Sequence, residues 1–304
     1  MPQPFEFQFH EWLCETFQAD GNDIEIGDDA AVCNWSSSSL VISTDSICEG
    51  VHFPNDFADW ELVGRKALAV SLSDIAAMGA LPALAVVQLT LSESHDMVIA
   101  RRIMNGIQSI AVECNVRIVG GDTNRWSGLA NIGTTVIGHL LDVPWKISNA
   151  QTDDILLVTG PLGGSIRGKH FNFAPRFDVV RLFHEHGWSV NAATDISDSL
   201  SIDLAAMLEA SNKGCLIEES KIPISDDAKR LAEVSGKLPI EHALSDGEDF
   251  ELLISVNQRT WDSIQESSAA GPIYEVGRVT EDANMSIRRA NGVVDALIPK
   301  GYEH

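Results

Sequence analysis

Apolar residues recur every three or four positions over 97–114, where Ile99, Ile103, Ile107 and Ile110 share one face. That spacing predicts an amphipathic helix. The stretch 61–78 is apolar on most sides and is followed by Gly79. It predicts a buried helix with a glycine cap. Short runs rich in Val, Ile and Thr predict strands over 40–44, 83–90, 116–119, 131–139, 155–159, 250–256 and 273–279. Asp195-Ile196-Ser197-Asp198 is expected to open a helix continuing through Leu208. Helices and strands alternate unevenly, which points to an α/β or α+β fold with mixed sheets rather than a sandwich. The segment 142–154 carries Pro144, Ser148, Asn149, Gln151 and Thr152. It marks a boundary between an N-terminal domain, 1–148, and a C-terminal domain, 149–304.

Composition narrows the function classes. The chain has 304 residues, 44% of them hydrophobic and 21% charged, a globular mix. Its 21 basic and 44 acidic residues give a formal net charge of −23. Such a surface repels phosphate backbones and anionic membranes, so neither nucleic acid nor a membrane is expected as a partner. The longest uncharged apolar-rich run, 75–91, contains Pro82 and Gln88 and is no spanning segment. No signal peptide is expected from the first fifteen residues. The five cysteines form no C-x-x-C pair. Unpaired thiols fit a reducing compartment, so a cytoplasmic location is expected.

The chemistry lies in where the acids fall. Asp28 and Asp29 follow Gly27, Asp45 follows Ser43-Thr44 at a strand end, and Asp122 follows Gly120-Gly121 at another. Asp74 lies inside the buried helix, where an unpaired carboxylate is costly. Asp195 and Asp198 precede a helix, and Ser245-Asp246-Gly247-Glu248-Asp249 precedes a strand. Taken singly, these are ordinary turn and helix-cap residues. Asp74 has its own structural alternative, an ion pair with Arg65 or Arg102. If the acids converge, their repulsion requires cations, and Mg²⁺ suits hard oxygen ligands shared with substrate phosphates. Gly163-Gly164-Ser165-Ile166-Arg167-Gly168-Lys169 has P-loop spacing, but His170 stands where that motif needs Ser or Thr. A glycine-rich turn entering a helix is the better reading.

This ordered set of motifs, running from about Ile26 to Tyr302, resembles the thiamine-monophosphate kinase family. That family belongs to the ATP-binding group that includes aminoimidazole ribonucleotide synthetase. The resemblance implies a two-domain α/β architecture, usually a homodimer, that transfers the γ-phosphoryl group of ATP to thiamine monophosphate. It implies Mg²⁺ ligation by Asp29, Ser43, Thr44, Asp45, Asp74 and Asp122, with Asp195 and Asp198 adding metal contacts. Gly121, Asp122 and Ser197 would contact ATP. His52, Glu248 and Tyr302 would contact thiamine monophosphate. Outside that resemblance, His52 and Tyr302 read as ordinary packing residues.

Two departures stand out. The family's ATP-contacting arginine precedes the second domain, and Ile147 occupies that position, with Lys146 beside it as a candidate ATP contact. The family's Ser-Asp-Gly becomes Ser197-Asp198-Ser199. A position needing positive φ would be strained by Ser199. Two alternatives stay open: a relative acting on another phosphate or a carboxamide, and a non-catalytic nucleotide- or metal-binding protein.

Overall fold

The computed structural model describes residues 31–35, 38–268 and 271–301. The chain divides into two units. One holds the described residues through Leu141 together with Phe171–Pro175; the other holds Asp142–His170 and the described residues from Arg176 onward.

In the first unit, strands β1 (Ala31–Trp35), β2 (Ser38–Cys48), β3 (Ala80–Ser92), β4 (Arg117–Trp126) and β5 (Asn131–Leu140) form a sheet in the order β1-β2-β5-β3-β4. Only β3 and β4 pair in parallel. Helices α1 (Trp60–Ala77) and α2 (Met97–Glu113) pack on each other, and α1 lies on β2, β5 and β3. From Val63 onward Asp74 is the one residue of α1 that is half-buried rather than buried. The helix ends as its sequence predicts: Gly79, at φ 69°, donates its N–H to the Ala76 carbonyl.

In the second unit, β6 (Ile155–Val158), β7 (Ala192–Asp195), β8 (Gly214–Glu218), β9 (Leu252–Val256), β10 (Tyr274–Thr280), β11 (Met285–Arg288) and β12 (Val294–Ala296) form a sheet in the order β12-β11-β8-β10-β6-β9-β7. Every residue of β6 and β9 is buried, as expected for strands covered on both faces. Helices α3 (Phe177–His186), α4 (Leu200–Ser211), α5 (Asp226–Ser235), α6 (Pro239–Ser245) and α7 (Gln258–Glu266) complete it. Leu156, Val158, Ile196, Leu204, Met207 and Ile217 belong to one apolar core.

Three expectations are corrected. Asp45 does not end its strand, because β2 continues to Cys48 and stays paired with β5 that far. Asp195 does not open a helix; it ends β7, and α4 starts at Leu200 with Ser199 as its N-cap. Asp122 does not end its strand, because β4 continues to Trp126. Among the described residues no helix is long and apolar enough to cross a membrane.

Candidate functional site

In the first unit, β2 alternates as a strand must. Ser43 and Ile47 are buried on the face that carries Asp45. Asp45 pairs with Thr134 of β5, and Thr134 pairs with Val87 of β3, so this row faces α1. Across it, α1 supplies Ser71 and Asp74. The Ser43 hydroxyl donates to Asp74, and Asp45 is hydrogen-bonded to both Asp74 and Ser71. Ser71 and Thr134 share a 2.7 Å hydroxyl contact, and Thr134 Oγ1 donates to the Ala67 carbonyl at 2.8 Å. Burial pushes the Asp45 pKa up from its ordinary value, while Asp74 and Ser71 pull it back. The arginines are engaged elsewhere: Arg65 grips Glu113 through two bonds, at 2.7 and 2.9 Å, and Arg102 bonds Asp59 at 3.1 Å.

Two carboxyl groups held this close need a proton or a cation between them. Among the described residues, no three His, Cys, Asp or Glu side chains form a metal-holding group. The donor set of Asp45, Asp74 and Ser43 nevertheless fits Mg²⁺. That ion is usually held by one or two carboxylates, with water and substrate phosphate completing its shell.

Thr44 and Asp122 lie on the opposite, open face. Asp122 pairs with Gln88, one position along from the Val87 row, and accepts from Asn124 Nδ2 at 2.5 Å. The Thr44 hydroxyl donates to the Thr134 carbonyl at 3.1 Å. Gly121 has a packing reason of its own, since a Cβ there would lie 1.9 Å from the Val87 carbonyl oxygen.

His52 sits in a tight loop after β2. Its Nδ1 accepts the Cys48 N–H at 3.0 Å. In the neutral ring the proton is therefore on Nε2. Nearby, the buried Glu49 side chain caps the Ala130 N–H at 2.8 Å.

In the second unit, Asp195 is buried at the end of β7, and Ser197 and Asp198 are half-buried in the turn that follows. Asp203, one turn into α4, joins them; sequence reasoning passed it over. Burial drives its pKa well above the ordinary range, and the charges of Asp198 and Asp195 add to that. It accepts the Asp198 and Ser199 N–H groups at 3.2 and 3.1 Å. An acid on the side of the helix that also carries Leu200, Leu204, Met207 and Leu208 was the available signal. The same turn reaches the second acidic motif: Glu248 donates its N–H to the Ser197 carbonyl at 2.6 Å, and Phe250 to Ile196 at 2.8 Å. Glu248 and Phe250 have φ of 61° and 50°. Positive φ at non-glycine residues costs about 1–3 kcal/mol each and clusters at functional sites.

The departure at Ser199 carries no strain. Its φ of 169° is extended backbone. Its hydroxyl caps α4 by accepting the Ile202 N–H and donates to the Lys300 carbonyl at 2.9 Å. Ile147 packs against the apolar core of its unit, while Lys146 is exposed. Asp29 and Tyr302 lie outside the described residues.

The glycine-rich turn is no phosphate cradle. Gly163 gives its N–H to Asp249, Gly164 to Asp246 at 2.9 Å, and Lys169 its ammonium to Glu251 at 2.8 Å. The fold also aligns Ser235 Oγ, His242 and Asp246, at 2.8 and 2.9 Å. Ser235 ends α5, where the negative end of the helix dipole opposes an oxyanion. This row ties α5 to α6 and is not a nucleophile site.

Residues 27–140 match the family described as AIR synthase related protein, N-terminal domain, and residues 136–289 match its C-terminal domain. A thiamine-monophosphate kinase of Rhodopirellula baltica is 38% identical over 289 residues, covering 92% of this chain and 91% of that one. The chain belongs to the thiamine-monophosphate kinase family. A solved structure of AaThiL complexed with AMPPCP and TMP superposes with a TM-score of 0.86 at 28% identity, covering 98% of this chain and 96% of that chain. The solved thiamine monophosphate kinase of Aquifex aeolicus gives a TM-score of 0.78 at 26% identity, over 93% and 96% of the two chains. The α/β fold with two domains of the AIR synthase related type is that of the family.

Proposed function

We propose that this protein transfers the γ-phosphoryl group of ATP to the phosphate of thiamine monophosphate, giving thiamine diphosphate and ADP. The observation that carries the reading is the likeness, over nearly the whole chain, to the complex holding an ATP analogue and TMP. The acceptor is already a phosphate oxyanion, so the reaction asks for positioning and charge neutralisation more than for a strong base. Mg²⁺, when bound, would neutralise charge on the phosphate oxygens. Asp45, Asp74 and Ser43 would hold it in the first unit. Thr44 and Asp122 offer oxygens on the open face, and Asp195 and Asp198 offer theirs in the second unit; Asp29, outside the described residues, would be a further ligand by the family resemblance. Gly121, Asp122, Ser197 and Lys146 would contact ATP. His52 presents Nε2–H as a donor to the substrate, with Glu248 and Tyr302 as further substrate contacts.

The homodimer belongs to the same proposal. The open face of the first unit's sheet exposes Val86 and Trp126, apolar surface suited to a second copy. The cytoplasm is the proposed location, supported by the unbridged Cys48, Cys114 and Cys215.

The test is direct. Purified protein, ATP, Mg²⁺ and thiamine monophosphate should yield thiamine diphosphate, and other phosphorylated acceptors in parallel should not. Tight ATP binding without any product would instead assign a non-catalytic nucleotide-binding role.

A further inference from the structure

Lys66 is a lysine with no exposed surface, set in the middle of α1. Burying an ammonium costs several kcal/mol unless partners compensate it. Its Nζ donates to the His52 carbonyl at 3.1 Å. It also lies 5.3 Å from the centroid of the Phe171 ring, within cation–π range. Phe171 stacks on Phe57, with ring centroids 4.4 Å apart and planes 9° apart. Phe171 opens the short segment through Pro175 that belongs to the first unit although it is distant in sequence. Arg65, the neighbour of Lys66, donates to the Phe173 carbonyl of that segment at 3.4 Å. Consecutive basic residues of α1 thus hold both the His52 loop and the aromatic segment.

The His52 loop is tight. Gly50 donates to the Phe53 carbonyl, Val51 and His52 donate to the Cys48 carbonyl, and the Cys48 N–H closes on the His52 ring. A shift of the His52 carbonyl turns its peptide plane and loosens the ring contact that sets the tautomer. We infer that Lys66 is a positioning residue for substrate recognition: its buried ammonium locks the His52 loop so that the imidazole offers Nε2–H to the phosphorylated acceptor. This rests on the proposed reaction for its kinetic consequence, but the tautomer claim stands on geometry within one unit.

Lys66→Met keeps length and apolar stem while removing the charge and the donor. It is expected to raise KM for thiamine monophosphate by roughly 10- to 100-fold, the range of a lost charge-assisted hydrogen bond, with KM for ATP unchanged. Lys66→Arg restores a cation and should recover part of the loss. Because Lys66 acts through His52, the double variant Lys66→Met/His52→Ala should show the same KM for thiamine monophosphate as His52→Ala alone. Additive losses overturn the inference, as does an equal rise in both KM values. The second readout needs no activity. ¹⁵N NMR of histidine-labelled wild-type protein should show His52 with its proton on Nε2, and Lys66→Met should show a mixture of tautomers. An unchanged His52 signal in a folded Lys66→Met protein overturns the inference. If wild type makes no thiamine diphosphate, the proposed reaction fails while the NMR comparison still decides the role of Lys66.

Discussion

Asp249 accepts the backbone N–H of Gly163 with both carboxylate oxygens, at 3.0 and 2.8 Å. The glycine-rich turn is thereby closed by an acid from the protein itself. A phosphate brought to the same amide would meet a buried carboxylate already in place.

Lys169 follows the same logic. Its ammonium bonds Glu251, a buried acid that also takes Arg176 Nη1 at 3.0 Å and the Thr159 hydroxyl at 2.8 Å. Lys169→Ala should lower unfolding stability by about 1–3 kcal/mol, because the charge-assisted bond to Glu251 is lost. KM for ATP should change by less than roughly threefold, under 1 kcal/mol. Denaturant melts and ATP titrations of the variant check both. A rise in KM of several orders of magnitude without loss of stability would return the turn to nucleotide binding.

Burial pushes the Asp249 pKa up from 3.8 to about 6, against the pull of Lys169, Ser165 and the Gly163 N–H. A carboxyl group with a raised folded pKa binds more protons in the folded state than in the unfolded one between those two values. Its contribution to stability is therefore largest at low pH and is lost as pH rises from about 4 to about 6, by about 3 kcal/mol in all. Asp249→Asn carries no such dependence. The variant should gain on wild type by about that amount across the window, measured as the difference between two urea-melt series. A constant difference from pH 4 to 7 would show that Asp249 is not displaced.

How much of this was legible depends on distance along the chain. The helix over 60–77, its Gly79 cap and the oddity of a carboxyl at Asp74 are local patterns, and the structure keeps all three. The closure of Gly163 by Asp249 joins residues 86 positions apart, and no local pattern carries it. Asp122 was misplaced for a related reason. A bulge between Ala85 and Val86 resets the β3–β4 register, and strand length is decided by the partner strand. Strand β7 reads Ala-Ala-Thr-Asp, too short and too small-chained to signal itself, so Asp195 looked like a helix opener.

The pairing of Asp45 with Asp74 makes a prediction about metal. Asp45→Asn should remove a ligand charge at nearly constant size and lower kcat at least roughly 100-fold, about 2.7 kcal/mol of barrier. Wild-type protein should melt higher when Mg²⁺ and ATP are added together, and Asp45→Asn should lose most of that rise. EDTA should abolish wild-type turnover, and Mg²⁺ should restore it. Full activity in EDTA, or an unaltered Mg²⁺-dependent melt in the variant, would remove Mg²⁺ from this pair.

Ile147 and Lys146 stand side by side where the family resemblance implies an ATP-contacting arginine, and the structure treats them differently. Ile147 is half-buried against the core of its unit, and its carbonyl takes the Ser211 hydroxyl at 3.3 Å. Lys146 is exposed, while its carbonyl takes the Ala193 N–H at 3.2 Å. An arginine at 147 would either bury a guanidinium or draw its stem out of the core. Ile147→Arg should therefore cost about 1–3 kcal/mol of stability. It should leave KM for ATP within roughly threefold of wild type. Lys146→Ala should do the reverse: almost no change in melting, and a rise in KM for ATP of roughly 3- to 10-fold, as for one partly screened charge contact. Melting curves and ATP titrations on the two single variants decide it. A stable Ile147→Arg protein with ATP affinity raised tenfold or more would place residue 147 at the nucleotide. An unchanged KM in Lys146→Ala would remove this segment's charge from ATP binding.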